Sequence, residues 1–179
     1  INHAGVIYEA PVEGGMNRYM AILEDYDNLD RIGSVRSCRT YYTFFANEFK
    51  AIYAHFGQST FARPYLDRME HLNGIEGKGS VAFYRTKDKK SPHNAYASGD
   101  RIQKAIGAMG YPQKYPEDYK GHYHFSKPEY PVMLENGFAA AFVRPGYIMN
   151  DPWFEYNSKD GLYYRFQYGG PQNGNEGQL

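Results

Sequence analysis

The chain opens with a short apolar run. Val6, Ile7 and Tyr8 stand together within Gly5–Pro11, as expected of a buried strand, and Pro11 with Gly14 and Gly15 then forces a turn. A second run, Tyr19–Leu23, reads as another buried strand. The acidic stretch Glu24–Asp30 reads as a loop, and Ile32–Val35 as a short third strand. From Thr40 to Phe49 the period changes. Tyr41, Phe44, Phe45 and Phe49 recur at helical spacing, with Thr40 placed to cap the helix. Lys50–Phe56 predicts a further strand, broken by Gly57, and Ser59 is placed to cap a helix over Thr60–Met69. Strand, helix, strand and helix in this order predict a βαβ-type sheet with helices packed on it.

Further along, Leu72–Ser80 reads as a glycine-containing loop, Val81–Tyr84 as a short strand, and Arg85–Ser98 as a polar irregular segment around Pro92. Asp100 is placed to cap a helix over Arg101–Met109 that ends at Gly110. Tyr111–Lys120 reads as irregular and His122–Phe125 as extended. In the last third prolines recur at Pro128, Pro131, Pro145 and Pro152. Phe138–Val143 reads as a strand, and Trp153–Tyr156, a turn at Asn157–Gly161 and Leu162–Tyr168 as a β-hairpin. The expected fold is α/β (α+β): a mixed sheet with flanking helices over residues 1–128, followed by an incomplete, mostly β unit over 129–179. The ends, Ile1 and Gly-Gln-Leu, read as cut.

Composition narrows the function classes. Lys+Arg and Asp+Glu are both 20, so the formal net charge is zero. That balance argues against nonspecific binding to nucleic acid or to an anionic membrane, and an anion site must be a local concentration of cations. Aromatic residues reach 17%, with 19 Tyr, suited to half-exposed surfaces and common in exported and sugar-contacting proteins. The single cysteine, Cys38, allows no internal disulfide, and no apolar run approaches a membrane span.

Five ordered blocks resemble the YerB-like family of candidate bacterial lipoproteins, whose biochemical activity is not established. They are GVIYEAPVEGGMNRYMAI (5–22), IGSVRSCRTYY (32–42), AIYAHFGQS (51–59), FYRTKDKKSPHNAYAS (83–98) and WFEYNSKDGLYYRFQYGGPQ (153–172). The resemblance implies an extracytoplasmic domain of a Gram-positive cell envelope, held to the membrane by a lipid anchor that this chain does not include.

The chemistry of these blocks centres on Arg18, Arg36 and Arg39, at strand ends and turns. Guanidinium forks match phosphate or carboxylate oxygens, and the helix start at Thr40 favours an anion. Gly14 and Gly15 allow close backbone approach. The alternative is structural pairing: Arg18 with Glu13, and Arg36 or Arg39 with Glu9 or Asp25. His55 and Ser59 fall at the C-terminal end of a strand, where ligands of open α/β sheets sit. His93 and Asn94 lie in a long polar loop suited to function. The expected ligand-binding set is therefore Glu13, Arg18, Arg36, Arg39, His55, Ser59, His93 and Asn94, with Arg18, Arg36, Arg39, His55 and Asn94 around one concave surface.

His122 and His124, two apart on an extended segment, share a face, but no third metal ligand is identifiable, so neither a metal nor another cofactor is expected. Cys38 reads as a packed residue. Three function classes stand: a binding domain for an anionic, glycan-type or lipid-linked ligand; a phosphoryl or glycosyl-phosphate transferase using Glu9 or Glu13; and a protein-interaction module docking through the hairpin around Trp153. No nucleic-acid partner is expected.

Overall fold

The protein is described from a computed structural model, for residues 2–127, 129–130, 132, 134–171, 173–174 and 177–178. In chain order the elements are β1 (Val6–Pro11), β2 (Asn17–Ile22), β3 (Ile32–Gly33), α1 (Thr40–Glu48), β4 (Tyr53–His55), α2 (Arg63–Leu66), β5 (His71–Asn73), β6 (Phe83–Arg85), β7 (Ala95–Ala97) and α3 (Gly99–Met109). They continue with β8 (Phe142–Val143), β9 (Trp153–Asn157), β10 (Leu162–Gln167), β11 (Gly170–Pro171), β12 (Asn173–Gly174) and β13 (Gly177–Gln178). The mixed α/β class is thus realised as helices with several small sheets rather than one broad sheet. No helix among the described residues is long and apolar enough to cross a membrane.

Contacts group the chain into two compact units, Ile1–Ala21 with Tyr123–Leu179, and Ile22–His122. The boundary expected at residues 128–131 falls on Pro128 and Pro131, which lie outside the described residues.

In the unit Ile22–His122, β4 and β5 run parallel, with Tyr53 opposite His71 and His55 opposite Asn73. A second parallel contact joins Cys38 to Gln58. There Phe56 N donates to Arg36 O, Cys38 N to Gly57 O and Ser59 N to Cys38 O. Residues 36–38, 53–58 and 71–73 therefore lie side by side as parallel segments, linked through α1 and then through α2. This is the expected βαβ logic on a small scale. A separate antiparallel sheet has the order β3-β7-β6.

The core of this unit gathers Leu72, Ala82, Phe83, Ala97, Ala105 and Ile106, with Ile102 and Met109 packed against it. Ile102, Ala105, Ile106 and Met109 make one face of α3, the i, i+3, i+4, i+7 pattern of a helix laid on a core. Gly110 closes α3 in the left-handed conformation, φ 71°. Gly99 opens it where a Cβ would come within 2.3 Å of the carbonyl oxygens of both Tyr26 and Asp27, so only glycine lets the two backbones meet.

Several boundaries differ from expectation. Arg39, not Thr40, holds the cap position of α1, and Ser98, not Asp100, that of α3; neither makes a side-chain cap bond. The strand expected from Lys50 begins at Tyr53, because Lys50, with φ 50°, follows the end of α1. The helix expected over Thr60–Met69 shortens to a 3-10 turn, Thr60–Ala62, and the single turn α2, with Pro64 at its start. Leu72 and Asn73 belong to β5, and Ala95–Ala97, within the segment read as irregular, form the buried strand β7. His122–Phe125 forms no strand, and only Phe142–Val143 of the run from Phe138 does.

In the other unit, β1 and β2 form a two-stranded sheet. The strands β11-β10-β9-β8 form an antiparallel sheet around the expected hairpin, with Phe166 opposite Trp153 and Leu162 opposite Asn157.

Candidate functional site

The sequence-derived site residues separate into three places. Two lie in the unit Ile22–His122 and one in the other unit.

The first place is the C-terminal side of the parallel segments. His55 ends β4 and is fully buried. Its Nδ1 stands 2.8 Å from Gly57 O and its Nε2 2.9 Å from His71 Nδ1. A carbonyl oxygen can only accept, so Nδ1 of His55 carries the hydrogen. Burial pushes the His55 imidazole down to about 4, against the opposing pull of the Gly57 carbonyl. Burial also lowers His71. Asn73, which ends β5, ties the adjoining loops together. Its Oδ1 accepts from Gly57 N at 3.2 Å and Ile75 N at 3.1 Å, and its Nδ2 donates to Gln58 Oε1 at 3.0 Å and Glu76 Oε1 at 3.2 Å. Arg39 turns its Nη1 back onto Cys38 O, at 3.0 Å, and Ser37 O, at 3.4 Å. Ser59 occupies the cap of the 3-10 turn, and Cys38 is fully buried beside Ala62 and Leu66. This region is a closed hydrogen-bonded frame.

The second place is a basic surface. Arg36 Nη1 donates to Pro92 O at 2.8 Å and approaches His93 Nδ1 at 3.3 Å. Arg85 Nη1 donates to Asn94 Oδ1 at 2.6 Å, and Asn94 Nδ2 to Thr86 O at 3.0 Å. Arg31 pairs with Asp88 at 2.6 Å and stacks over Tyr96 with its guanidinium carbon 4.1 Å from the ring centre. Between Arg85 and Asn94 the loop carries Lys87, Lys89 and Lys90, all exposed. The structure thus joins Arg36, His93 and Asn94 of the expected set on one loop, and adds Arg31, Arg85 and the lysines, which sequence reasoning passed over. The signal was present: the Lys-Asp-Lys-Lys run stands inside the 83–98 block.

The third place belongs to the other unit. Glu13 and Arg18 lie there, Glu13 exposed on a 3-10 turn and Arg18 half-buried in β2. Glu9 is engaged by Arg165 through both carboxylate oxygens, at 2.8 and 2.9 Å, with each side chain 13% exposed. Asn17 and Asn150 each donate an amide to Glu9 Oε1 at 2.8 Å. Tyr19, beside this network, donates to Gln167 Oε1 at 3.1 Å, and burial pushes its hydroxyl up to about 12.

Sequence reasoning offered Arg36 and Arg39 as partners of Glu9 or Asp25. Glu9 instead takes Arg165, a pairing separated by 156 positions. His122 stands 3.1 Å from Glu48. Among the described residues no group of three His, Cys, Asp or Glu side chains is arranged to hold a metal ion.

Residues 1–112 match the family model of the N-terminal domain of a protein of unknown function, DUF3048. The candidate lipoprotein YerB of Bacillus subtilis (strain 168) is 35% identical over 116 residues, 64% of this chain and 34% of YerB. The crystal structure of YerB from Bacillus subtilis superposes with a TM-score of 0.73 at 27% identity, over 97% of this chain and 57% of the crystallised one. The chain therefore spans about a third to a little over half of the relative it matches. With more than half of its length matched by the family model, the chain belongs to the DUF3048 family of YerB-like proteins.

Proposed function

We propose that this chain is an extracytoplasmic, cell-envelope domain that binds an anionic, phosphate-bearing glycan or lipid-linked ligand at the basic surface formed by Arg36 and the 85–94 loop. The envelope location rests on the candidate-lipoprotein name of its relative, with attachment through a lipid anchor.

The observation that carries the binding reading is the contact of Arg36 with Pro92 O and His93. It brings Arg36 to a loop holding Arg85, Lys87, Lys89 and Lys90, in a chain whose net charge is zero. Because Arg36 Nη1 donates to His93 Nδ1, neutral His93 carries its hydrogen on Nε2. The exposed ring then carries a donor at Nε2. Phosphate oxygens are the acceptors that such a set of donors suits.

The test is titration with pyrophosphate and glucose 1-phosphate, followed by amide shifts and calorimetry. A Lys89→Ala/Lys90→Ala variant should bind at least about tenfold more weakly, about 1.4 kcal/mol. Arg36→Ala should do the same. Folded variants that bind both anions as the parent does would refute the reading.

A further inference from the structure

We propose a second binding site, independent of the basic surface and in the other unit: the outer face of the β9–β10 hairpin takes an uncharged, hydroxyl-bearing sugar ring. The register places Trp153, Glu155 and Asn157 of β9 on the same face as Phe166, Tyr164 and Leu162 of β10. Trp153 and Phe166 are stacked on each other, 9° apart with ring centres at 5.2 Å, and together form the aromatic platform of that face. Beside it is a shallow cleft of about 290 Å³ lined by Glu155, Tyr156, Asn157, Tyr164 and Phe166. That volume lies just below the range of small-ligand sites, roughly 300–1,000 Å³, and suits a single ring.

The polar groups lining the cleft are held in place by each other and by the neighbouring Asp160. Asp160 accepts from Tyr164 Oη at 2.7 Å and from Asn157 Nδ2 at 3.0 Å, and its other oxygen accepts from Leu162 N at 3.0 Å. Trp153 Nε1 donates to Glu155 Oε1 at 2.8 Å. Little side-chain freedom is then lost on binding. The chemistry of the cleft selects the ligand. The Glu155 carboxylate in its lining, with Asp160 next to it, repels anions, so it cannot serve the phosphate ligand proposed for the basic surface. Its acceptors ask for O–H donors, and an apolar peptide laid over them would leave them desolvated and unpaired. A pyranose offers an apolar C–H face to the aromatic rings and hydroxyls to Glu155.

Trp153 is the sole tryptophan of the chain, so its emission reports on this site alone. The whole chain is titrated with cellotriose, maltotriose and chitotriose to about 10 mM, the range of weak binding. A saturable change in Trp153 emission is expected with at least one of them. It should weaken at least about tenfold in Tyr164→Ala and in Glu155→Gln, each shown folded by its unfolding transition, and stay unchanged in Lys89→Ala/Lys90→Ala. No response to any of the three sugars would overturn the proposal. So would a response unaffected by both hairpin substitutions, or a response to choline or spermidine with none to the sugars.

Discussion

His55 Nε2 lies 2.9 Å from His71 Nδ1, and that contact fixes the proton positions of both rings. Gly57 O holds the hydrogen of His55 on Nδ1, so Nε2 of neutral His55 is a lone pair. His71 must then donate from Nδ1, and its own Nε2 is the acceptor. Protonating His71 at Nε2 leaves the bond intact. Protonating His55 sets two N–H groups against each other and charges a fully buried ring.

The first prediction follows from that asymmetry. The folded His55 sits at about 4 against 6.5 for an ordinary imidazole, so between these values the unfolded chain binds more protons than the folded one. Stability is full above about pH 6.5 and is lost as pH falls towards 4, by up to about 3 kcal/mol from this residue. Asp67 and Glu76 face the pair and raise His71, softening the loss. Denaturant unfolding at pH 7 and pH 4.5 should show the fall. His55→Gln should be less stable at pH 7 but flatter with pH; an equally steep profile would exclude His55 as the source.

A second prediction concerns Glu9 and Arg165, each 13% exposed and bonded at 2.8 and 2.9 Å. Removing Arg165 strands the Glu9 carboxylate in a largely desolvated site with only the amides of Asn17 and Asn150 to stabilise it. Arg165→Ala is expected to cost about 3–5 kcal/mol. Replacing both residues with apolar ones of similar size should cost less than that single change. Chemical denaturation of the two variants decides it.

How much of this was legible in the sequence depends on sequence distance. The helix α3 was legible as the span Arg101–Met109 with its closing Gly110, a local signal. The hairpin Trp153–Gln167 was legible through its turn. The strand β7 was not: Ala95–Tyr96–Ala97 is flanked by polar residues, and small alanines look like loop until burial against β3 and β6 is seen. His55 was singled out for its strand-end position, yet its partner His71 comes after the whole α2 crossover, and no local pattern links them. Arg165 and Glu9 are further apart still. The arginines looked alike in sequence, but Arg39 turns back on the carbonyls next to it while Arg36 reaches Pro92 and His93, a difference that only the folded chain assigns.

Third, two glycines of α3 should respond oppositely to alanine. At Gly99 the new Cβ meets backbone oxygens at 2.3 Å, which cannot yield as a flexible side chain would. A loss of at least about 2 kcal/mol is expected. At Gly107, exposed in the helix interior, a Cβ meets nothing within 4 Å. Alanine there removes backbone entropy from the unfolded chain and should add about 0.5–1 kcal/mol. Thermal unfolding of the two variants tests the sign of each.

The last prediction separates the two proposed sites by salt. Arg36, Lys87, Lys89 and Lys90 act on an anion largely through exposed charge, and exposed charges are screened once the ionic atmosphere is thinner than their separation. The screening length falls from about 30 Å at 0.01 M to about 8 Å at 0.15 M ionic strength. Several cations contributing together at the longer length would be reduced to the nearest one or two at the shorter. Pyrophosphate affinity should therefore drop several-fold over that range, and more steeply for the parent than for Lys89→Ala/Lys90→Ala, which has less long-range attraction to lose. A neutral trisaccharide on the hairpin has no net charge to screen, so its effect on Trp153 emission should keep the same midpoint throughout. Calorimetry of the first and fluorescence of the second, in the same buffers, give the two slopes. A pyrophosphate affinity indifferent to salt would mean that the anion is held by short-range hydrogen bonds at Arg36 and His93 and not by the lysine loop. A sugar midpoint that moves with salt would mean that charge, and not the aromatic platform, governs the hairpin.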